Sequence, residues 1–446
     1  MSHVIRSYYP TAKLPDDLNG LGGLYQSVLA DKRTLLLLDN AASREKVQPL
    51  MPPAGCAMLI TSRIKFTLPG LKETDLDVLP ADKARELLLE ISRRIGDHAD
   101  ELSKLCGYLP LALRNTGSAL AERKDLDVAE YERRLREKMA RLELVDASFS
   151  LSYELLAPIR KKQWCRLSVF PEDFDRDGAA AVWKMGPDPS AETLSDLVKW
   201  SILEFNKPVG SEVGRYRLHD LARLFAESRL DSSDRVDAHQ CQARHYMKVL
   251  SNAEKLYNKG GKNILAGLEL FDREWMNIKI GQAWIEGLIR NAGKPKNGTT
   301  LKLALKLADN ISGEGTYVLN LRLHPMDKIH WFGTSLSAAH RMKDRGSEGY
   351  WLMNLGLAYS DLGETRKAVE YYEQALAIAR KFGDLADLES GTLNNMGNAY
   401  TDLGEAREAI KCYERSLAID RKTGDIRGEG ATLVFSFQNN IAIFNR

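Results

Sequence analysis

A stretch near the C-terminal end repeats itself at fixed spacing, and that limits the fold more than any other feature. Leu355-Gly356-Leu357-Ala358-Tyr359 returns as Met396-Gly397-Asn398-Ala399-Tyr400, and Asp361-Leu362-Gly363-Glu364 returns as Asp402-Leu403-Gly404-Glu405. Tyr372-Glu373 matches Tyr413-Glu414, and Gly383-Asp384 matches Gly424-Asp425, every pair offset by 41 positions. A unit recurring at such a period cannot bury its apolar side alone, so successive copies must stack on one another.

Within the first copy the recurring positions are Leu352, Leu355, Gly356, Tyr359, Ala368, Tyr372 and Ala375. In the second they are Leu393, Met396, Gly397, Tyr400, Ala409, Tyr413 and Ser416. Small residues leave room for a neighbouring helix, and tyrosines fill the space between turns. The pattern resembles the tetratricopeptide repeat, whose usual period is about 34 residues. Each copy here carries about seven more, nearly two helical turns, which lengthens a helix without turning its apolar stripe. Gly383-Asp384 and Gly424-Asp425 are expected to stop helices where a proline often does. A weaker copy, Leu336-Ser337-Ala338-Ala339, precedes the pair. A third begins at Gly430-Ala431-Thr432-Leu433, and the residues from Val434 to Arg446 abandon the pattern.

The chain of 446 residues has room for about three domains. Its 63 Lys and Arg nearly balance 61 Asp and Glu, for a formal charge of +2. No large single-sign field points to nucleic acid or a membrane. Five scattered cysteines without a CxxC pair argue for a reducing compartment. Met1 to Pro10 has no apolar h-region, and no apolar run is long enough to span a bilayer. A cytoplasmic location is expected.

In the N-terminal half, Arg33 to Asn40 contains a short apolar run ending in the acid Asp39. Ala57 to Arg63 is a second such run, ending in a base, and Leu76 to Leu79 a third. Such runs are expected to be fully buried parallel strands. Helical patterns, including Ala81 to Arg94, lie between and after them. In a sheet of this kind ligands sit at the carboxyl ends of the strands, where Asp39 and Arg63 fall.

The order of these runs resembles the NB-ARC module of signal-transduction ATPases with numerous domains (STAND). Leu35 to Asp39 resembles Walker B, and Thr61-Ser62-Arg63 the arginine sensor motif. Cys106-Gly107-Tyr108-Leu109-Pro110-Leu111-Ala112 resembles the GLPL motif, and Leu218-His219-Asp220 the MHD motif. Together they cover roughly residues 15 to 230 in family order. The resemblance implies ADP or ATP with Mg²⁺ as ligands. Asp39 would hold Mg²⁺, Arg63 would read the terminal phosphate, Gly107 and Pro110 belong to the segment against adenine, and His219 would reach the β-phosphate of ADP. Read singly, Asp39 could equally cap a following helix, Arg63 be a surface charge, Gly107 and Pro110 a helix end and restart, and His219 a satisfied core histidine.

Two departures bear on chemistry. Asn40 follows Asp39 where many relatives have a second acid, and an amide cannot act as a general base. No GxxxxGK[ST] occurs; Gly260-Gly261-Lys262-Asn263 is the nearest lookalike, with no strand before it. In relatives the loop lies well upstream of Walker B, so the chain is expected to be truncated before its phosphate loop or to lack one. Tight nucleotide binding and hydrolysis are therefore not expected of it, and no catalytic residue is assigned. A metal cluster at His239, Cys241 and His245 is disfavoured, because on a helix Cys241 points away from His239.

The expected fold is mainly α. Residues 1–79 form an incomplete P-loop-type α/β domain, 80–145 a helical subdomain, 146–235 a winged helix, 236–330 a helical linker and 331–446 an α-solenoid of tetratricopeptide repeats. The expected function is a regulatory switch that docks a protein partner on its repeats, with self-association left open and no direct nucleic-acid or membrane contact by these residues. The alternatives are a repeat scaffold with a decayed nucleotide module, and part of a multidomain transcriptional regulator.

Overall fold

The computed structural model describes residues 1–62, 64–74, 76–139, 144–207, 213–290, 316–382, 385–426 and 428–433. The chain opens with α1 (Ser2–Tyr8), α2 (Leu18–Leu29), β1 (Leu35–Leu38), α3 (Arg44–Val47) and β2 (Ala57–Ile60). Then come α4 (Ala81–Ile91), α5 (Ala99–Leu105), α6 (Pro110–Glu122), α7 (Val128–Met139), α8 (Leu144–Leu155), α9 (Pro158–Arg166), α10 (Arg176–Trp183) and α11 (Pro187–Lys199). A hairpin of β3 (Leu203–Asn206) and β4 (Arg215–Leu218) leads into α12 (Asp220–Arg229), α13 (Ser232–Asn258) and α14 (Asn263–Arg290). The last described helices long enough to pack are α15 (Thr316–Arg322), α16 (Pro325–Met342), α17 (Arg345–Asp361), α18 (Thr365–Phe382), α19 (Ala386–Asp402) and α20 (Ala406–Thr423). The chain divides into two compact units. One comprises Met1–Lys72, Leu250–Asp272 and Ile285–Arg446, the other Glu73–Val249 and Arg273–Trp284.

In the first unit the repeats form an α-solenoid of helices 17 and 18 residues long. A Cβ placed on Gly356 would stand 2.5 Å from Cε1 of Tyr372, and one on Gly397 2.5 Å from Cε1 of Tyr413. Both tyrosines are fully buried. Each ring thus occupies the space a side chain would need, and the paired helices approach through it. The repeated Asp-Leu-Gly-Glu is the turn between them. Gly363 (φ +82°) and Gly404 (φ +76°) supply the left-handed residue. Glu364 N–H donates to Tyr359 O at 2.9 Å and Gly363 N–H to Ser360 O at 2.9 Å, with the same pair of bonds at Glu405 and Gly404. That is a Schellman ending. Gly424 (φ +78°) ends α20 as expected, whereas Gly383-Asp384 and Val434 to Arg446 lie outside the described residues. Ser416, standing where the first copy has Ala375, is satisfied by Ser390 Oγ at 2.9 Å and Ser390 O at 3.1 Å.

β1 and β2 pair in parallel, Leu35 opposite Ala57 and Leu38 opposite Ile60. Leu36 and Met58 face Ile5, Tyr25, Val28 and Leu29 of α1 and α2. The expectation of fully buried strands fails on the other face, where Leu35 is 70%, Leu37 63% and Leu59 57% exposed. Apolar residues on both faces call for cover on both, and the described residues of this unit cover one. Leu76 to Leu79 is not a strand. Its bond from Leu79 N–H runs to Tyr108 O at 3.0 Å, at a turn, and one such bond makes no ladder.

In the second unit α4 stops at Ile91, short of the expected Arg94, and the chain continues as a 3₁₀ segment kinked at Gly96 (φ +53°). The antiparallel pair β3–β4 matches Leu203 with Leu218 and Asn206 with Arg215. Trp164 stacks on Phe225 at 5.3 Å, with Phe149 and Tyr153 against both. Arg215 is buried between Asp173 and Glu274, a fully paired cation of the kind an interior tolerates. In the first unit the lookalike Gly260-Gly261-Lys262 is a turn between α13 and α14, with φ of +73° and +57° at its glycines.

Replacing Gly356 or Gly397 by Leu should force paired helices apart and cost about 1–3 kcal/mol by overpacking. Urea unfolding of each variant checks this; a midpoint equal to the parent's would show that the ring does not fill that space.

Candidate functional site

Asp39 follows directly on β1, at the carboxyl end of the parallel pair. Thr61 Oγ1, at the end of β2, donates to Asp39 Oδ1 at 2.5 Å. The same hydroxyl accepts Asn40 N–H at 2.8 Å, and Ala41 N–H reaches Thr61 O at 2.8 Å. Ser62 Oγ donates to Ala41 O at 2.7 Å. Asn40 takes a left-handed conformation (φ +53°) to make this crossing, which asparagine tolerates better than most residues. The hydroxyls of Thr61 and Ser62 thus fasten the two strand ends together. Asp39 does not cap the following helix, whose N-cap is Ser43. Arg63, one residue on, lies outside the described residues.

Gly107 and Pro110 sit in the second unit, where α5 ends and α6 begins. Gly107 and Tyr108 both have φ near +56°. Their N–H groups return to Lys104 O at 2.9 Å and Ser103 O at 3.1 Å, and Pro110 opens α6 at its first position. A missing N–H costs nothing there, and its fixed φ suits a helix. The helix end and restart is therefore their structural state, with the Pro110 ring exposed.

His219 caps α12. Its Nδ1 accepts Leu221 N–H at 3.2 Å, so in the neutral ring the proton resides on Nε2. A donor is left for another acceptor. The expected contact with a phosphate needs a donor of that kind.

The fit to Mg²⁺ is partial. A hard cation wants about six oxygens, and this chain offers the Asp39 carboxylate with hydroxyls beside it. Among the described residues no group of three His, Cys, Asp or Glu could hold a metal ion. The remaining oxygens would come from nucleotide phosphates and water. Thr61, Ser62 and Tyr108 are the residues that sequence reasoning gave no role of their own; Thr61 and Ser62 adjoin Arg63 in its motif, a signal that could have marked them.

Residues 348–422 match the tetratricopeptide repeat family model. Over 301 residues the chain is 36% identical to the regulatory protein AfsR of Streptomyces coelicolor, covering 63% of this chain and 30% of that protein. It is 36% identical over 230 residues to AfsR of Streptomyces griseus, covering 48% and 23%. The chain is thus similar to bacterial regulatory proteins and carries tetratricopeptide repeats. The chain spans less than a third of either AfsR protein. Among solved structures, a STAND protein with a tetratricopeptide repeat sensor from Pyrococcus horikoshii is similar at a TM-score of 0.36 and 16% identity, covering 95% of this chain and 74% of that one. No described helix is long and apolar enough to cross a membrane.

Losing the His219 cap should weaken α12. His219→Ala is expected to cost about 0.5–2 kcal/mol, and His219→Asn, which restores a side-chain acceptor, to recover most of it. Thermal unfolding of the pair checks this; equal losses would mean the ring acts through packing rather than capping.

Proposed function

We propose that this chain forms part of a regulatory signal-transduction protein. In complete form it is an ADP/ATP-binding switch, and its tetratricopeptide repeats dock a protein partner. The observation that carries the reading is the 36% identity to AfsR over 301 residues. In this reading bound ADP favours a closed state, and a partner on the repeats shifts the population toward an open one. Asp39 would orient Mg²⁺ at the strand ends, Arg63 would meet the terminal phosphate, Gly107 and Pro110 would border the base, and His219 would donate through Nε2 to the β-phosphate. The helices and hairpin from α8 to α12 would serve as the winged helix that packs on nucleotide.

We further propose that this chain binds neither ADP nor Mg-ATP tightly, since its 446 residues contain no GxxxxGK[ST]. That loop supplies backbone N–H groups, a lysine and a metal-bound hydroxyl. Losing two charge-assisted bonds removes roughly 3–6 kcal/mol, on the order of a hundredfold or more in affinity. Calorimetry on the purified chain should show no low-micromolar site for either nucleotide. A site of that strength, weakened by Arg63→Ala or His219→Ala, would overturn the second proposal. Grafting a strand, phosphate loop and helix from a STAND relative onto the N-terminus should restore ADP binding that depends on His219. A graft that folds and binds no ADP would contradict the switch itself.

A further inference from the structure

The first unit contains a cavity of about 630 Å³ between its N-terminal segment and the helices that lead into the repeats. That is the size of a small-molecule site. Leu14, Leu18 and Leu21 line one side; Tyr317, Leu321 and Met326 line the other. Leu18 is 79% exposed and Met326 56%, so the mouth presents apolar surface to water that an occupant would cover.

The charges around this apolar space are unequally matched. Arg322 is paired with Asp272 through bonds of 2.9 Å, and Lys328 with Asp361 at 2.8 Å. Arg6 has no such carboxylate: its guanidinium donates to the carbonyls of Leu321 at 3.1 Å and Arg322 at 3.3 Å, and its Nε is buried without a partner. Burial, and then the charge of Arg322, push its pKa down to about 10 against the opposing pull of Asp272. Lys13 also lines the space, with no carboxylate partner among the described residues. Asn320, on the same wall, has a buried Oδ1 with no donor. Asp16 contributes an acid at the rim, where its carbonyl faces His324 Nε2 at 3.1 Å. A half-buried cation without a counter-charge is an unfavourable state that an anion would relieve.

We propose that this cavity binds a small amphipathic acid, its anionic head at Arg6 and Lys13 and its apolar body between the leucines and Tyr317. None of Asp39, Gly107, Pro110 or His219 lines it, so this site stands whether or not the nucleotide reading does. It lies against the entry to the repeats, and its ligand would be an input distinct from both nucleotide and docked protein.

Calorimetry of the full chain with octanoate, octanol and octylamine tests the assignment, because the three share a tail and differ in head charge. Octanoate should bind at one site, octanol more weakly, and octylamine not at all. Arg6→Gln should weaken octanoate by about tenfold or more. Because Arg6 also ties the N-terminal segment down, Lys13→Gln and Leu18→Asp supply exposed substitutions that leave those bonds intact; each should weaken octanoate severalfold. Leu37→Asp, on the bare face of the sheet, should leave it unchanged. Equal binding of all three probes, no octanoate binding up to millimolar concentration, insensitivity to Lys13→Gln and Leu18→Asp, or loss only with Leu37→Asp would each overturn the proposal.

Discussion

A tyrosine ring lies where a glycine's side chain would be, once in each repeat, and the repeat array depends on that close approach. Tyr372 against Gly356 and Tyr413 against Gly397 set how near the two helices of a copy can come. The Schellman turns at Gly363 and Gly404 then fix the angle at which the chain returns. The same rings are fully buried, so the contact that spaces the helices also provides much of the apolar burial holding them. Helices 17 or 18 residues long extend that surface by about two turns beyond the ordinary repeat. The result is a firm support for whatever docks on the array.

The parallel pair β1–β2 is the opposite case. Its inner face has the cover of α1 and α2, and its strand ends are fastened by Thr61 and Ser62. Leu35, Leu37 and Leu59 remain largely in water. Two strands form few ladder bonds and leave outer edges open to other chains. The chemistry expected at Asp39 therefore rests on the least supported element of its unit.

The repeats were legible because their signal is local: small and large residues at fixed spacing dictate a packed helix pair before any distant contact is known. The turn role of Gly363 and Gly404 is present in the repeated tetrapeptide, whereas the sequence pattern marks helix stops only at Gly383-Asp384 and Gly424-Asp425. β1 and β2 were readable as apolar runs, but how far each face is covered depends on distant segments that a run does not reveal. Leu76 to Leu79 failed for the same reason, since a strand exists only with a partner. At the candidate site, the position of Asp39 at a strand end could be read. Its hydroxyl partner Thr61 lies 22 residues away, and the left-handed Tyr108 beside Gly107 had no sequence signal of its own.

One unit thus holds both a close-packed repeat array and a two-stranded parallel sheet that its described residues cover on one face. Hydrogen exchange of the full chain, resolved by segment, tests this contrast most directly. Slow exchange is expected in Thr365–Phe382 and Ala406–Thr423, with Leu35–Leu38 and Ala57–Ile60 exchanging much faster. Equal protection of the sheet and the repeats would contradict it.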